Sequence, residues 1–249
     1  MPVLSDLLDL PPRPLISIVG AGGKTTTMYT LASELAQRGK RVITTTTTNI
    51  YFPKKDETDA LIVAAETPTL LKMVSAASRQ HHRVTVAGRA IGAGKVGGLQ
   101  LDQPYELLMK SGADVVIVEA DGARHKMIKA PAEHEPVVPP ETNVALLMMS
   151  AEAINQPLSG EIAHRPERVA AVLGLNQGDI LTPARVAGLM TSEKGGMKNI
   201  PEMARVYVLI THVMEERRDE VREVVELVGR LARAESMYCS NRPGDWFVI

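Results

Sequence analysis

Aromatic residues are scarce: one tryptophan, two phenylalanines and five tyrosines, 3% of 249 residues. So small a set does not furnish the rows of exposed rings on which single-stranded nucleic acid stacks. Lys and Arg number 28 against 29 Asp and Glu, a formal net charge of −1. With no global positive field to draw in nucleic acid or an anionic membrane surface, neither is expected as a partner. The single cysteine, Cys239, excludes an internal disulfide and any cysteine-rich metal site, and fits a reducing compartment. Its setting, Tyr238-Cys239-Ser240-Asn241, reads as that of a small apolar filler rather than a reactive thiol. No apolar run approaches the length of a bilayer-spanning helix. Met1 to Arg13 carries acids and prolines instead of the basic start and apolar stretch of a signal peptide. A soluble, cytoplasmic protein is expected.

Hydrophobic residues make up 45%, ample for a core built from Val, Leu, Ile, Ala and Met. The first half alternates strand and helix. Strands are expected at Leu15–Val19, Arg41–Thr45, Ala60–Ala64, Arg83–Ala87 and Asp114–Val118, with helices at Thr26–Arg38, Pro68–Ser78 and Tyr105–Ser111. Uniformly apolar strands of this kind belong to parallel sheets covered on both faces. The second half is less regular, with strands at Asn143–Ser150 and Arg205–Thr211 and helices at Pro166–Leu173, Thr182–Met190 and Glu215–Ala234. The Glu/Arg run of the last helix reads as a solvated face. The expected fold is α/β, a doubly wound, mainly parallel sheet with helices on both faces. One domain spans 1–249, with room for a small substrate or partner annex within 123–200; a homo-oligomer is neither required nor excluded.

The most informative stretch runs from Ile16 to Thr27. A β-branched apolar run feeds Gly20-Ala21-Gly22-Gly23, then Lys24, Thr25 and Thr26 open a helical pattern. Glycines let backbone N–H groups point at phosphate oxygens, a lysine ammonium bridges terminal phosphates, and a threonine hydroxyl can hold Mg²⁺. The usual phosphate loop would need glycine at position 18, which is Ile18. The loop is therefore two residues shorter and resembles that of Mur-type ligases. Gly20 to Thr26 are the expected nucleotide-binding residues.

Five threonines, Thr44–Thr48, end the second strand beside this loop. Threonine suits strands, but a hydroxyl there, such as that of Thr47, can also complete a metal shell. The apolar strand Val115–Val118 ends in Glu119-Ala120-Asp121-Gly122. An acid at a strand end next to a phosphate loop orients Mg²⁺ or polarises a nucleophile. Lys24, Glu119 and Asp121 are thus the catalytic candidates, and Thr25, Thr47 and Glu119 the metal candidates. Lys129, His134 and Glu135, in a proline-bracketed segment, and His164 and Arg165, ahead of a helix, are candidates for an anionic substrate or a partner. A second glycine cluster, Gly88–Gly98, reads as a hairpin or lid from which Arg89 or Lys95 reaches across the cleft.

In this order the motifs resemble the YqeC family of accessory proteins for selenium-dependent molybdenum hydroxylases. The resemblance rests on the loop Gly20–Thr26, the threonines Thr44–Thr48, Glu119–Gly122, Lys129-Ala130-Pro131-x-x-His134-Glu135-Pro136 and His164-Arg165-Pro166-Glu167. It implies a phosphate-loop NTPase-like fold and a role in making or inserting a selenium-containing molybdenum cofactor. The implied partners are a nucleotide and a selenium or molybdopterin compound or the apo-hydroxylase. Where family members often carry a guanine-reading Asn-Lys-x-Asp-like segment, this chain has Thr211-His212-Val213-Met214, which favours ATP over GTP. Three activities fit: an NTP hydrolase or phosphotransferase, a nucleotide-gated chaperone with little turnover, and a small-molecule kinase or ATP-dependent ligase.

Overall fold

In the computed structural model of the chain the described residues are 3–231, 234–242 and 245–247. After a short helix α1 (Leu4–Leu7), the chain forms β1 (Leu15–Gly20), α2 (Lys24–Gln37), β2 (Val42–Thr46), β3 (Asn49–Tyr51) and β4 (Ala60–Val63). Next come α3 (Thr67–Ala77), β5 (Arg83–Ala87), β6 (Arg89–Ala90), β7 (Lys95–Gly97), α4 (Gln103–Lys110), β8 (Val115–Glu119) and β9 (Ile128–Lys129). The rest comprises β10 (Val144–Ser150), β11 (Ala163–His164), α5 (Pro166–Leu173), α6 (Pro183–Thr191), β12 (Arg205–Thr211), α7 (Arg218–Leu231), β13 (Ala234–Arg242) and β14 (Asp245–Phe247).

Nine strands form one sheet in the order β14-β13-β12-β10-β1-β8-β2-β5-β4. Every pairing is parallel except that of β13 with β14 at one edge. The order explains where a site forms. From β1 the chain builds one half of the sheet, β8 returns beside β1, and β10 then opens the other half. The connections part on either side of β1, and such a switch point leaves a crevice at the strands' carboxyl ends.

The period of two in the strands splits the core into two layers. Ile16 and Ile18 of β1, Ile117 of β8 and Leu146 of β10 pack with Met28, Leu31 and Leu35 of α2 on one face. Leu15 and Val19, Val116 and Val118, and Leu147 and Met149 face the other way, toward Leu70, Leu107, Val186 and Val224 of helices α3, α4, α6 and α7. Strands buried on both faces are what an apolar run without alternation specifies.

Several elements differ from the sequence reading. Helix α2 starts at Lys24 rather than Thr26, because left-handed Gly23 (φ 97°) ends the loop and acts as its N-cap. The expected helix Glu215–Ala234 resolves into a 3₁₀ turn at Glu215–Arg217 and α7, and Ala234 already belongs to β13. The two-residue strands β9 and β11, and the outermost pair β13 and β14, carry no readable periodicity. The Gly88–Gly98 cluster does form a hairpin, β6–β7, which pairs with β3 in a separate three-stranded sheet. Within 123–200, β10 lies inside the main sheet, while β9 and β11 pair as a small sheet of their own. The side chain of Cys239 lies outside the described residues.

Candidate functional site: a cleft over the glycine loop

The loop after β1 is built by close approach. Gly20 has φ 99°, and a Cβ there would lie 2.2 Å from the Met148 carbonyl oxygen; at Gly22 (φ 77°) it would lie 2.5 Å from the Ser150 nitrogen. Backbone of β10 therefore occupies the space that a side chain needs. Gly23 (φ 97°) is different, since a Cβ there meets no atom within 4 Å. Gly20→Ala is accordingly expected to lower stability by roughly 2–4 kcal/mol, from clash plus left-handed strain, and Gly23→Ala by about 1–2 kcal/mol from strain alone. Urea unfolding of the two variants side by side checks this; equal losses would contradict the packing described.

The loop amides divide into two sets. Gly20 N–H donates to Asp121 Oδ2 (3.1 Å), Ala21 N–H to the Met148 carbonyl (2.9 Å) and Gly22 N–H to the Lys126 carbonyl (3.2 Å). These three amides hold the loop to the protein. Those of Gly23, Lys24, Thr25 and Thr26 lie at the start of α2, where no preceding turn supplies carbonyls. They carry no hydrogen bond to any described residue, and Gly23 to Thr26 line an open cleft of about 660 Å³. That volume lies in the usual range for small-ligand sites. The helix dipole adds partial positive charge at the same point.

The floor of the cleft carries the acids. Thr25 Oγ1 donates to Glu119 Oε2 at 2.7 Å. Burial pushes the Glu119 carboxyl above its ordinary range, against the pull of Lys24 and the Thr25 hydroxyl. Lys24 turns inward, donating to the Gly20 carbonyl at 2.6 Å, with Asp121 Oδ1 at 3.2 Å and Glu119 Oε1 at 4.0 Å. Asp121 Oδ1 nonetheless receives no hydrogen bond of good geometry from any described residue, which leaves a buried acceptor under the loop.

From Asp121 a chain of alternating charges runs outward. Lys129 Nζ lies 3.0 Å from both Asp121 Oδ2 and Glu135 Oε2 and donates to the Gly122 carbonyl at 2.7 Å. Glu135 in turn receives two hydrogen bonds from Arg165, Nη1 at 2.6 Å and Nη2 at 3.1 Å. Partial burial works against the Glu135 charge, but Arg165 and Lys129 outweigh it and hold its pKa down at about 2. Burial first, then the charges of Arg165 and Lys129, lower His164 to about 4, so its imidazole is neutral at pH 7. Both shifts have the same sign for stability. Unfolding releases His164 to take a proton below its ordinary 6.5 while the folded state refuses it down to about 4. Glu135 contributes fully above 4.5, and that contribution is lost as pH falls toward 2. Stability should therefore drop as pH falls from 6.5 to 4, and His164→Asn should flatten that limb when urea midpoints are compared pH by pH.

Of the residues singled out from sequence, Gly22, Gly23, Lys24, Thr25, Thr26, Glu119, Glu135, His164 and Arg165 line this one cleft. Gly20, Ala21, Asp121 and Lys129 lie behind its lining and support it. Thr47 donates its hydroxyl to the Val137 carbonyl at 2.6 Å, and it is Thr48 that reaches the lining. Arg89 is exposed on β6 outside the cleft, whereas Lys95 on β7 faces it. His134 is exposed, its Nε2 4.0 Å from Glu135 Oε1, and is not part of the lining. Among the described residues no group of three or more His, Cys, Asp or Glu could hold a metal ion. The cleft also contains Asn49, Tyr51, Arg124, His125 and Lys126, which sequence reasoning missed. Arg124 and His125 come one residue after the Glu-x-Asp-Gly turn, and that position was the available signal. Thr211 was noted only for what it lacks; its hydroxyl donates to the Gly22 carbonyl at 2.7 Å and braces the loop from β12.

A parallel sheet with its switch point at a strand–glycine loop–helix unit, and with an acid ending the adjacent strand, defines a phosphate-loop NTPase-like protein. The profile of the YqeC protein family matches residues 16–167. The Escherichia coli K12 protein described as "Uncharacterized protein YqeC" is 32% identical over 193 residues, covering 77% of this chain and 73% of that protein. The chain belongs to the YqeC family. Among solved structures, the signal recognition particle 54 kDa protein of Aeropyrum pernix K1 in complex with GDP has a TM-score of 0.44 at 14% identity. The match covers 97% of this chain, which spans only 45% of that protein. A MinC:MinD cell division protein complex from Aquifex aeolicus has a TM-score of 0.43 at 14% identity, covering 92% of this chain and 82% of that one. No helix among the described residues is long and apolar enough to cross a membrane.

Proposed function

We propose that this protein binds a nucleoside triphosphate with Mg²⁺ and hydrolyses it or transfers its terminal phosphoryl group during maturation of selenium-dependent molybdenum hydroxylases. The observation that carries the nucleotide part is the run of four unbonded amides, Gly23 to Thr26, lining a cleft beside the Thr25–Glu119 pair. Family membership and the fold support nucleotide binding. The selenium and molybdenum part rests on what is attributed to the family.

The residues present fit Mg²⁺. A hydroxyl and a carboxylate 2.7 Å apart on the cleft floor are hard oxygen donors, and Mg²⁺ takes one or two such ligands while phosphates and water complete its shell. Thr25 and Glu119 would hold the ion, which neutralises charge on the phosphates when bound. Lys24 would exchange the Gly20 carbonyl and Asp121 for the β- and γ-phosphate oxygens. Asp121 keeps its bond from the Gly20 amide and so holds the loop in shape during that exchange. Arg165, with neutral His164 beside it, would meet an anionic second substrate. ATP is the favoured nucleotide, because the Thr211–Met214 turn offers neither the amide nor the carboxylate that reads guanine.

Thermal unfolding with ATP, GTP or neither, each with Mg²⁺, tests the reading. ATP should raise the midpoint and GTP raise it less; no shift with any triphosphate would overturn it. Phosphate release measured with and without a selenium or pterin compound then separates transfer from plain hydrolysis.

A further inference from the structure

The mouth of the cleft holds groups that nucleotide binding leaves unused. Arg124 (φ 49°), His125 (φ 58°) and Arg165 (φ 61°) all adopt the left-handed backbone, and all three line this cleft. Non-glycine residues persist in that conformation only where their surroundings impose it, and such strain gathers at ligand sites. Arg124 is exposed and makes no hydrogen bond or ion pair with any described residue. Lys95 has no carboxylate partner among the described residues either; its Nζ lies 4.8 Å from the centre of the Tyr51 ring. Tyr51 stacks on His125 across the mouth, centroids 6.1 Å apart and planes inclined 25°. In a chain so poor in rings, Tyr51 is still 53% exposed.

Their place in the fold says which end of a nucleotide they would meet. The Thr25–Glu119 pair marks the metal and terminal-phosphate end, on the β8 side of β1. Tyr51 follows β2, and Arg124 and His125 follow β8, so the group lies on that same side, beyond the terminal phosphate. We propose that Tyr51, Lys95, Arg124 and His125 form a second subsite, for a co-substrate with a planar ring and a phosphate group. An exposed ring stack recognises a flat molecule. Two cations with no carboxylate partner, one of them a guanidinium fork, match the dianionic charge of a phosphate. The orientation assigned to the co-substrate rests on the nucleotide reading.

Flavin mononucleotide serves as the probe, titrated calorimetrically into protein saturated with Mg²⁺ and a non-hydrolysable ATP analogue. Riboflavin, which has the ring without the phosphate, is the comparison. Flavin mononucleotide should bind at least tenfold tighter than riboflavin. Arg124→Ala should remove most of that difference, and Tyr51→Ala should weaken both ligands at least fivefold. Lys24→Ala should lose the ATP analogue and keep the flavin. Should that variant fail to fold, an unchanged flavin affinity with and without bound analogue gives the same answer. No binding to the parent protein, unchanged binding to Tyr51→Ala and Arg124→Ala, or displacement of the flavin by the analogue would each overturn the subsite. Failure of the nucleotide reading is read separately, as no heat from the analogue.

Discussion

Lys129→Met is expected to cost about 3–5 kcal/mol of unfolding free energy, the range found when one partner of a buried ion pair is removed. The ammonium is almost wholly enclosed and lies 3.0 Å from two carboxylates, those of Asp121 and Glu135. Methionine fills a similar volume, so little of the loss comes from a cavity. What remains among the described residues is a buried Asp121 with the Gly20 amide and Lys24 to answer its charge, and a Glu135 held by Arg165 and, at 3.5 Å, by the Ala132 amide. Urea unfolding at neutral pH measures the loss. Acid should narrow the gap between variant and parent, because protonating Glu135 removes part of what Lys129 neutralises. A loss under 1 kcal/mol would mean that the charge chain is solvated and supports nothing.

The second large effect concerns Lys24→Ala. A ligand at a hundred times its Kd stabilises a folded protein by about 2.7 kcal/mol. For a chain of this size each kcal/mol moves Tm by about 2–4 °C, so saturating Mg²⁺-ATP should raise the midpoint by roughly 5–10 °C. The variant should lose nearly all of that rise. Its own midpoint without nucleotide should also fall, since Asp121 and Glu119 lose the cation 3.2 and 4.0 Å away. The informative quantity is therefore the difference between the two midpoints of each protein, with and without nucleotide. A full rise in the variant would show that the ammonium does not touch the phosphates.

These two lysines also show what could be read from the chain and what could not. Lys24 was legible because strand, glycines, lysine and hydroxyls are consecutive, and each has a local conformational reason. The parallel sheet was legible for the same cause: Val115–Val118 is apolar throughout because both of its faces are covered. Lys129 was singled out as a contact for substrate or partner. Its enclosure between Asp121 and Glu135 depends on how β8, β9 and the following turn come together in space, and no periodicity encodes that. Arg124 and His125 were missed because the left-handed backbone there belongs, by residue type, to glycine or asparagine. The end of the charged helix was misplaced because the Glu/Arg pattern holds its helical spacing past the point where the sheet claims Ala234 for β13.

The sole tryptophan has a practical meaning. Trp246 is buried on β14, its indole N–H without a partner among the described residues, and β13, β12 and β10 separate it from the strand that carries the glycine loop. At the usual spacing between strands this is about 19 Å. Its intrinsic emission should be blue-shifted and indifferent to whatever enters the cleft. The same signal should move as soon as the far margin of the sheet peels away, giving a built-in optical gauge of that margin.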